Sequence, residues 1–378
     1  MGSHSMPNVE VEGAEGGLGA GGRERSGRRA FLQRLGVAGL ALPAVGALGS
    51  VAVRAQETTP HPHAAHAAAT PAGGYVGSDA GTAGGTGAAA PSPVPQVAPF
   101  VRYDPVLPPV QRGFKEITVV SSDQTLYLAK DVPYAAWTFD GTVPGRALRV
   151  VEGDTVAMTV RNGASITHSL DTHAARTPPN ASYRNLQPGE EMAWGFVAKT
   201  PGAYLYHCGT PPILMHIGVG MYGAMIVDPK DGWPPAQELC LVQSDFYLKD
   251  DEQGSGAKVA DYTKMLGHGA MDYVAFNGHA SQYVDEPIPV RVGEPIRIFV
   301  VNAGPNVWSS FHVVGAVFDR VCVNANPKNE LFGLQSITIG PGDGACVEFT
   351  LDEPGTYPAV NHAFGHAAHG AIALLQAT

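Results

Sequence analysis

The chain contains few cysteines, 4 among 378 residues, and their spacing is irregular. This number does not provide the paired framework of a small disulfide-stabilised domain. Cys240, Cys322 and Cys346 lie in apolar, strand-like stretches, so we predict that they are buried thiols. Cys208 is different, because two histidines and a methionine surround it in the sequence.

Charged residues are also scarce, at 15% of the chain, against 44% hydrophobic residues. Acidic residues outnumber basic ones, and the formal net charge at pH 7 is −10. Because nucleic acids are polyanions, this excess of negative charge disfavours a nucleic-acid partner. The composition as a whole is typical of a compact globular protein.

The sequence has no long stretch with a sustained helical period in the region that begins at about residue 106. From residue 106 onward, short runs of β-branched and aromatic residues alternate with turn residues, and the chain has 47 Gly and 31 Pro. Runs of this kind are typical of strands joined by tight turns. We therefore predict an all-β fold.

An apolar run near the start of the chain, Val37 to Val53, is too short and too interrupted for a stable membrane-spanning helix. Arginines precede it, and the pair Arg28-Arg29 is followed by Ala-Phe-Leu in the manner of a twin-arginine signal. Small residues near Ala55 suit cleavage. We predict that residues 1–55 are a twin-arginine-like export signal with an N-terminal extension, and that the protein is periplasmic or otherwise extracytoplasmic. An N-terminal anchor is the alternative.

Residues 56–99 contain Ala, Gly, Pro, Thr and Ser and almost no large apolar side chain. Such a segment cannot bury enough surface to offset the entropy of ordering. We therefore predict a disordered linker over residues 56–105. Its histidines (His61, His63 and His66) are expected to be solvated, with metal binding as the alternative.

An internal repeat divides the rest of the chain. Landmarks in residues 106–229 recur in the same order in residues 230–378, which predicts two tandem Greek-key β-sandwich domains. The matched landmarks are Phe139-Asp140-Gly141 with Phe276-Asn277-Gly278, Val150–Asp154 with Val290–Glu294, His168 with His312, Pro201–Tyr204 with Pro354–Tyr357, His207-Cys208 with His362, and Gly223–Val227 with Gly370–Leu374. The chemistry is not duplicated, because the first copy alone combines cysteine, histidine and methionine.

The strongest chemical signal is Cys208-x7-His216-x4-Met221, with His168 supplied by an earlier strand. One thiolate, two imidazoles and one weak thioether form the ligand set of a blue-copper electron-transfer site. Soft sulfur ligands favour copper over magnesium or calcium. A buried structural cysteine beside unrelated histidines is the alternative, but it leaves the combination of ligand types at this spacing unexplained.

The segment from His168 to His173 predicts a second site. In an extended chain, side chains alternate between faces, so Asp171 and His173 share one face and His168 lies on the other. The same rule separates His207 from Cys208. Pairing the two strands places His168 with Cys208 on one side, and Asp171, His173 and His207 on the other. This predicts two metal sites back to back, joined by the His207–Cys208 peptide as an electron path. The alternative is that both histidines of the second face bond only backbone groups.

His173 and His207 supply two nitrogen ligands to the predicted second site. A third ligand and a position for the substrate must come from elsewhere in the protein. His312 and His362, in the second half, are both candidates for that third ligand. The remaining histidines of this region lie in turn-like or Gly/Ala-rich sequence and are expected to be solvated: His268, His279, His366 and His369.

Together these motifs resemble those of the copper-containing nitrite reductases, over roughly residues 106–378. The resemblance lies in Tyr206-His207-Cys208, His216 and Gly220–Gly223, preceded by His168-x-x-Asp171-x-His173. It implies two cupredoxin domains and a homotrimer. It also implies nitrite as substrate, nitric oxide as product, and a small cupredoxin or c-type cytochrome as electron donor.

The resemblance further implies one type 1 and one type 2 copper per subunit. The implied type 1 ligands are His168, Cys208, His216 and Met221. The implied type 2 ligands are His173, His207 and His362, with His362 contributed by a neighbouring subunit. Asp171 and His312 match the family's active-site aspartate and histidine, and Val314 matches an aliphatic residue that caps the substrate.

Three features differ from the family. Thr172 stands where a Phe is usual, Arg176–Asn180 replaces a Gly/Ala-rich loop, and the segment after His362 is His/Ala-rich and one residue short. All three are expected near the pocket. They therefore bear on substrate preference and turnover more than on metal binding.

Three other functions are alternatives. A laccase-like multicopper oxidase needs several His-x-His pairs for its trinuclear centre, and the chain has one, His61-Pro62-His63, in the predicted linker. An electron carrier with a vestigial second site would keep its redox function without His173 or His362. A copper-storage protein would bind well more than two coppers per chain through the linker histidines.

Overall fold

The computed structural model describes residue 97 and residues 99–378. The predicted export signal and the linker histidines lie outside the described residues. The last part of the predicted linker, residues 99–105, packs against the body of the protein. The backbone N–H of Tyr103 donates to Oε1 of Gln282 (2.9 Å), and its hydroxyl donates to the carbonyl of Gly145 (3.2 Å). The packed chain therefore begins before residue 106, because Tyr103 makes hydrogen bonds with residues from both halves of the sequence.

Short strands dominate the described chain, as the predicted all-β fold requires. The strands of the first half are β1 (Lys115–Ala129), β2 (Val132–Phe139), β3 (Leu148–Val151), β4 (Thr155–Asn162), β5 (Asp171–Thr172), β6 (Glu191–Val197), β7 (Gly202–His207) and β8 (Tyr222–Asp228). Those of the second half are β9 (Gln237–Phe246), β10 (Leu248–Asp250), β11 (Lys258–Ala260), β12 (Tyr273–Phe276), β13 (Glu286–Val290), β14 (Ile296–Gly304), β15 (Ser309–Val313), β16 (Phe318–Val323), β17 (Glu330–Leu334), β18 (Ser336–Ile339), β19 (Gly344–Phe349), β20 (Gly355–Asn361) and β21 (Ile372–Ala377).

The helices of the described chain are all short. They are α1 (Pro179–Ser182), α2 (Ile213–Val219), α3 (Tyr262–Leu266), α4 (Gln282–Asp285) and α5 (Phe364–Ala368). None of these helices has the length and apolar character needed to cross a membrane.

The first sandwich consists of a sheet with strand order β10-β11-β2-β1-β4-β6 and a sheet with order β3-β8-β7-β5. The core between them contains Phe139, Met158 and Met225, and Cys208 lies in the same apolar cluster. Strands β10 and β11 follow residue 230 in the sequence, yet β11 pairs with β2. The strands of the two sandwiches are therefore not divided at the predicted boundary between residues 229 and 230.

The second sandwich consists of a sheet with strand order β12-β9-β14-β19-β16-β17 and a sheet with order β13-β21-β20-β15-β18. A third apolar layer joins the two sandwiches, because β7 and β8 of the first pack on β9, β14, β16 and β19 of the second. Cys240, Cys322 and Cys346 lie in that layer and are at most 3% exposed. The prediction that these cysteines are buried thiols is confirmed.

The strand pairing repeats between the halves. Strand β1 runs parallel to β4 as β9 runs parallel to β14, and β3 runs parallel to β8 as β13 runs parallel to β21. In both halves the strand that follows Pro-Gly lies between two antiparallel neighbours, β7 between β8 and β5, and β20 between β21 and β15. The predicted duplication of a β-sandwich is confirmed by this shared topology.

The registers correct the predicted alignment of the histidines. Asp171 lies opposite His207 in the β5–β7 pair, and His312 lies opposite Val360 in the β15–β20 pair. His207 and Val360 stand at the same distance from the Pro-Gly that opens β7 and β20. His312 is therefore the counterpart of Asp171 and not of His168. The sequence alignment was wrong here because the loops between landmarks differ in length in the two halves.

A buried group of charges holds the two sandwiches together at one end. Arg149 of β3 contacts Asp228 of β8 (2.7 Å) and Glu238 of β9 (2.8 Å). Arg297 of β14, whose side chain is 2% exposed, contacts the same Glu238 (2.9 Å) and also Glu348 of β19. Each buried guanidinium thus has carboxylate partners, as burial of a charge requires.

Candidate metal centres

The first cluster forms where three elements meet. His168 lies just before β5, Cys208 follows β7, and His216 lies on α2. The two Nδ1 atoms of the histidines are 3.1 Å apart, and Sγ of Cys208 lies 3.2 Å from Nδ1 of His216 and 3.9 Å from Nδ1 of His168. All three side chains are at most 3% exposed. Three potential metal donors therefore converge on one small, dry volume.

Helix α2 brings His216 into this cluster, and its seven residues are too few to show a helical period in the sequence. Pro212 precedes its first residue, and Gly220 ends it with φ +133°, a conformation that favours glycine. A Cβ at Gly220 would lie 2.6 Å from the Val143 side chain. The proline before residues 213–219 and the glycine after them are the sequence signal of this short helix.

Met221 and Trp137 complete the walls of the first cluster. Met221 is fully buried in the same apolar cluster as Cys208, and its backbone carbonyl accepts a hydrogen bond from the N–H of Cys208 (3.1 Å). The Trp137 ring packs on the rings of His168 and His216, with centroids 5.5 and 4.9 Å away. Trp137 was not singled out from the sequence, because a lone tryptophan in a strand gives no chemical signal.

The donor set of the first cluster fits copper. Desolvation lowers the pKa of His168 to about 4, and desolvation with the neighbouring His168 charge lowers the pKa of His216 to about 4. Both imidazoles are therefore neutral near pH 7 and offer lone pairs, as metal ligands must. Two imidazoles with a cysteine sulfur and a nearby thioether are the ligands that copper prefers among the biological metals.

The second cluster contains Asp171, His173 and His207, whose potential ligand atoms all lie within 4.8 Å of one another. The Nε2 atoms of the two histidines are 3.2 Å apart. Nδ1 of His207 donates to the carbonyl of Cys208 (2.9 Å), so its Nε2 carries the lone pair that faces His173. A backbone acceptor on the second ring nitrogen is the usual support of a metal-binding histidine. The second cluster therefore also suits a metal such as copper.

Strand alternation predicted which side chains group together, and the structure places them in that way. Asp171 and His207 are cross-strand neighbours, while Cys208 faces the opposite side with His168. Only Asp171–Thr172 of this segment form a regular strand, β5. His168 lies before that strand and makes an isolated β-bridge with Leu186. The assignment of these side chains as copper ligands stays a prediction.

His312 and His362 lie together on the second sandwich, with ring centroids 5.3 Å apart. Nδ1 of His312 donates to the carbonyl of Gln335, and the exposed His362 ring packs against Phe364 (4.7 Å). In the described part of the chain, neither metal-competent cluster includes these two histidines. Val314, two residues after His312, is 40% exposed on the same strand end. Within one subunit, the predicted third ligand is thus separate from His173 and His207.

Two of the histidines expected to be solvated are not in open loops. His366 lies on the short helix α5, where its Nδ1 accepts a hydrogen bond from Nδ2 of Asn361 (3.0 Å). His279 is half-buried and stacks on Phe100, with ring centroids 4.1 Å apart. Both rings therefore make specific contacts, although each is still partly exposed.

The second sandwich keeps the framework of the first cluster but not its full set of donors. The strand registers, and the glycines of positive φ that follow α2 and α5, define the equivalent positions. The counterparts of His168, Cys208, His216 and Met221 are Ser309, Asn361, His366 and Ala371.

Asn361 lies at the position equivalent to Cys208, and its side chain makes hydrogen bonds there. It is fully buried, its Oδ1 accepts from the backbone N–H of Ser310 (3.1 Å), and its Nδ2 lies within 3.0 Å of the Trp308 carbonyl and His366 Nδ1. The N–H of Ser169 points to Sγ of Cys208 in the same way (3.4 Å). The carboxamide thus holds together the strand ends from which His312 and His362 project.

Thr172, the departure from the usual Phe, points away from the second cluster. Its side chain is 2% exposed, donates to Sδ of Met225 (3.6 Å) and accepts from the N–H of Ala174 (3.4 Å). The replaced loop, Arg176–Asn180, leads into α1, which begins at Pro179. Thr172 therefore packs in the apolar core and does not line the space beside Asp171.

A family model described as "Multicopper oxidase" matches residues 121–232 of the chain. The chain is 37% identical over 294 residues to the copper-containing nitrite reductase of Neisseria meningitidis, covering 75% of each protein. The chain belongs to the copper-containing nitrite reductase family. The copper nitrite reductase of Nitrosomonas europaea, whose structure is solved, is 37% identical, with a TM-score of 0.65 over 70% of this chain and 94% of that one. The enzyme of Thermus scotoductus is 35% identical, with a TM-score of 0.65 over 70% of this chain and 62% of that one.

Proposed function

We propose that the protein reduces nitrite to nitric oxide, consuming one electron and two protons and releasing one water: NO₂⁻ + e⁻ + 2 H⁺ → NO + H₂O. The observation that carries the proposal is the pair of donor clusters on opposite faces of one strand end, joined by the His207–Cys208 peptide. An electron site and a substrate site in covalent connection suit a one-electron reduction of a small anion. Membership of the family supports this choice of anion.

His168, Cys208, His216 and Met221 are assigned to a type 1 copper. Their burial excludes water, and the packing of Trp137 on both imidazoles restricts their movement, so the ligands need little rearrangement when the charge changes. Bound copper supplies one-electron redox chemistry in the first cluster and, in the second, an open coordination position for an anion.

His173 and His207 are assigned to a type 2 copper, together with the partner subunit's His362. The exposed position of His173 and the surface position of His362 support a site completed between subunits. A heterologous contact of this kind, repeated around an axis, closes into a ring, and we propose that the ring is a homotrimer.

Asp171 and His312 are assigned to proton delivery. Asp171 lies within reach of both cluster nitrogens, and its carboxylate can take a proton from solvent and pass it to an anion bound beside it. His312 keeps Nδ1 on the carbonyl of Gln335, so its Nε2 is the atom free to exchange a proton. Val314, exposed nearby, provides an aliphatic wall that limits the size of the bound anion.

The electron donor is assigned as a small cupredoxin or a c-type cytochrome, and the location as periplasmic or otherwise extracytoplasmic after twin-arginine export. The arginine pair at residues 28–29 and the apolar run that follows it support the location. Fractionation of cells that express the full chain, with the Arg28-Arg29 pair replaced by Lys-Lys in a control, tests it. Unchanged export of the control would contradict the twin-arginine route.

The activity is tested with copper-loaded protein under anaerobic conditions, using a reduced dye as donor and following nitric oxide. We expect nitric oxide to form in a 1:1 ratio with nitrite consumed. Full occupancy of both copper sites without nitric oxide would refute the proposal. Retention of dye oxidation by dioxygen alone would instead favour an oxidase.

The shared site is tested by mixing two inactive variants, His173→Ala and His362→Ala, and allowing subunits to exchange. A site built from two subunits is complete when the first chain supplies His173 and the second supplies His362. Random assortment then restores about a quarter of the sites. A site contained within one subunit would show no recovery, and a copper-loaded monomer in sedimentation would contradict the ring.

A further inference from the structure

Ser169 follows His168 directly and is fully buried beside Cys208. Its backbone N–H points to Sγ of Cys208 at 3.4 Å, and its side-chain Oγ lies 3.9 Å from the same sulfur. Two groups of one residue therefore face the sulfur that is assigned to copper. The counterpart Ser310 in the second sandwich keeps the backbone contact, but faces the carboxamide of Asn361.

The hydroxyl of Ser169 already accepts hydrogen bonds from other groups. Its Oγ lies 3.0 Å from the backbone N–H of Gly209 and 3.1 Å from Oγ1 of Thr210. A hydroxyl has two acceptor lone pairs and one proton. When both lone pairs are engaged, the remaining proton of Ser169 has one other polar neighbour to which it can donate, Sγ of Cys208.

Thr210 admits a second arrangement, because it also has one proton and two acceptors near it. Its Oγ1 lies 3.0 Å from Oδ1 of Asn185. Either Thr210 donates to Ser169 and Ser169 donates to the sulfur, or Thr210 donates to Asn185 and Ser169 donates to Thr210. A thiolate is a charged acceptor, and charge-assisted hydrogen bonds are roughly twice as strong as neutral ones. The first arrangement is therefore favoured when the sulfur is a copper-bound thiolate.

We propose that the Ser169 hydroxyl donates a second hydrogen bond to the Cys208 thiolate and so raises the reduction potential of the copper in the first cluster. This inference rests on the proposed type 1 site. A donor at the sulfur stabilises its negative charge and weakens its donation to the metal. The oxidised ion needs that donation more than the reduced ion does, so the equilibrium moves toward the reduced form. Ser169 is a positioning residue in this sense, because it acts through Cys208.

The test compares Ser169→Ala with Thr210→Val and with a matched control, Thr167→Ala, in full-length copper-loaded protein. Thr167 lies on the other side of His168, and its hydroxyl contacts Gln187 (3.1 Å) and not the sulfur. The readouts are the reduction potential from a redox titration and the thiolate-to-copper absorption band.

Ser169→Ala is expected to shift the reduction equilibrium about tenfold toward the oxidised form, which is about 59 mV for one electron. Its absorption band moves to longer wavelength, because the sulfur electrons are less stabilised. Thr210→Val leaves the potential unchanged or raises it, since the Ser169 proton then has the sulfur as its sole acceptor. Thr167→Ala leaves the potential unchanged.

Two results would overturn the inference: an unchanged or raised potential in Ser169→Ala, or an equal decrease in Thr210→Val, which indicates a general loosening of the loop. Failure of the proposed function has a different signature. If the unsubstituted, copper-loaded protein has no thiolate-to-copper band, the type 1 site itself is refuted, whatever the variants do.

Discussion

His207 and Cys208 are joined by one peptide bond, yet their side chains enter two different clusters. Nε2 of His207 lies 3.2 Å from Nε2 of His173, while Sγ of Cys208 lies 3.2 Å from Nδ1 of His216. The hydrogen bond from Nδ1 of His207 to the carbonyl of Cys208 fixes this orientation (2.9 Å). The His207 ring therefore belongs to the second cluster, while its peptide bond to Cys208 connects it to the first. Because the two side chains enter different clusters, single substitutions can alter one cluster and leave the other intact.

Replacing Cys208 with Ala is expected to abolish the thiolate-to-copper absorption band and to leave one copper per chain. The first cluster loses its soft, charged ligand, whereas the second keeps His173 and His207. Metal analysis and visible spectroscopy measure this. Cys322→Ala, at a buried cysteine outside both clusters, is the control and should keep both coppers. Loss of both coppers from Cys208→Ala would show that the sites are not independent.

His173→Ala is expected to keep the absorption band and lose nitric oxide formation by at least about 100-fold, because the second cluster then retains one of its two converging Nε2 atoms. Spectroscopy, copper content and the anaerobic nitrite assay are measured together. An electron carrier with a vestigial second site would behave differently. In such a carrier, His173→Ala would leave the rate of electron exchange with the donor unchanged.

Asp171→Asn is expected to slow nitrite reduction by about 10²- to 10⁴-fold, the range for loss of a general acid–base group. The amide keeps the size of the carboxylate but does not relay protons, so copper content and the band of the first cluster stay unchanged. Steady-state rates in H₂O and D₂O provide the measurement. An undiminished rate would remove Asp171 from the proton path and leave His312 as the remaining candidate.

Arg297→Ala is expected to lower the free energy of unfolding by about 1–3 kcal/mol, because Glu238 and Glu348 each lose one guanidinium partner. Each keeps a second one, Arg149 for Glu238 and Arg320 for Glu348. Denaturant unfolding of the copper-loaded protein measures the loss. Arg291→Ala is the control, since Arg291 and Glu294 form an exposed pair that contributes little. Equal stability of the two variants would contradict a structural role for the buried charges between the sandwiches.

The fold class and the duplication were predictable because both depend on local patterns. Strand-length runs between turn residues indicate an all-β fold, and the repeated Pro-Gly turns mark the same strand in each half. The detailed alignment was not predictable, since a landmark histidine carries no information about loop length. His312 was matched with His168 for that reason, although its strand register makes it the counterpart of Asp171.

Strand alternation predicted the grouping of the cluster residues because the side-chain period of a strand is independent of tertiary context. Helix α2 was missed, since seven residues are too few for a clear helical period. Ser169 and Trp137 were missed for another reason. Their importance lies in what they touch, and no spacing within the sequence reports a contact between a serine and a sulfur 39 residues away.

The sequence by itself determined the all-β duplication, the family resemblance and the division of donor side chains between two faces. Each of these follows from composition, motif or the two-residue period of a strand. Tertiary structure alone decided that the Nδ1 atoms of His168 and His216 converge on Cys208, and that His312 and His362 lie together but apart from His173. It also decided that Asn361 fills the cysteine position with hydrogen bonds. These facts depend on strand register and loop packing, which arise only when distant segments bury their apolar faces against one another.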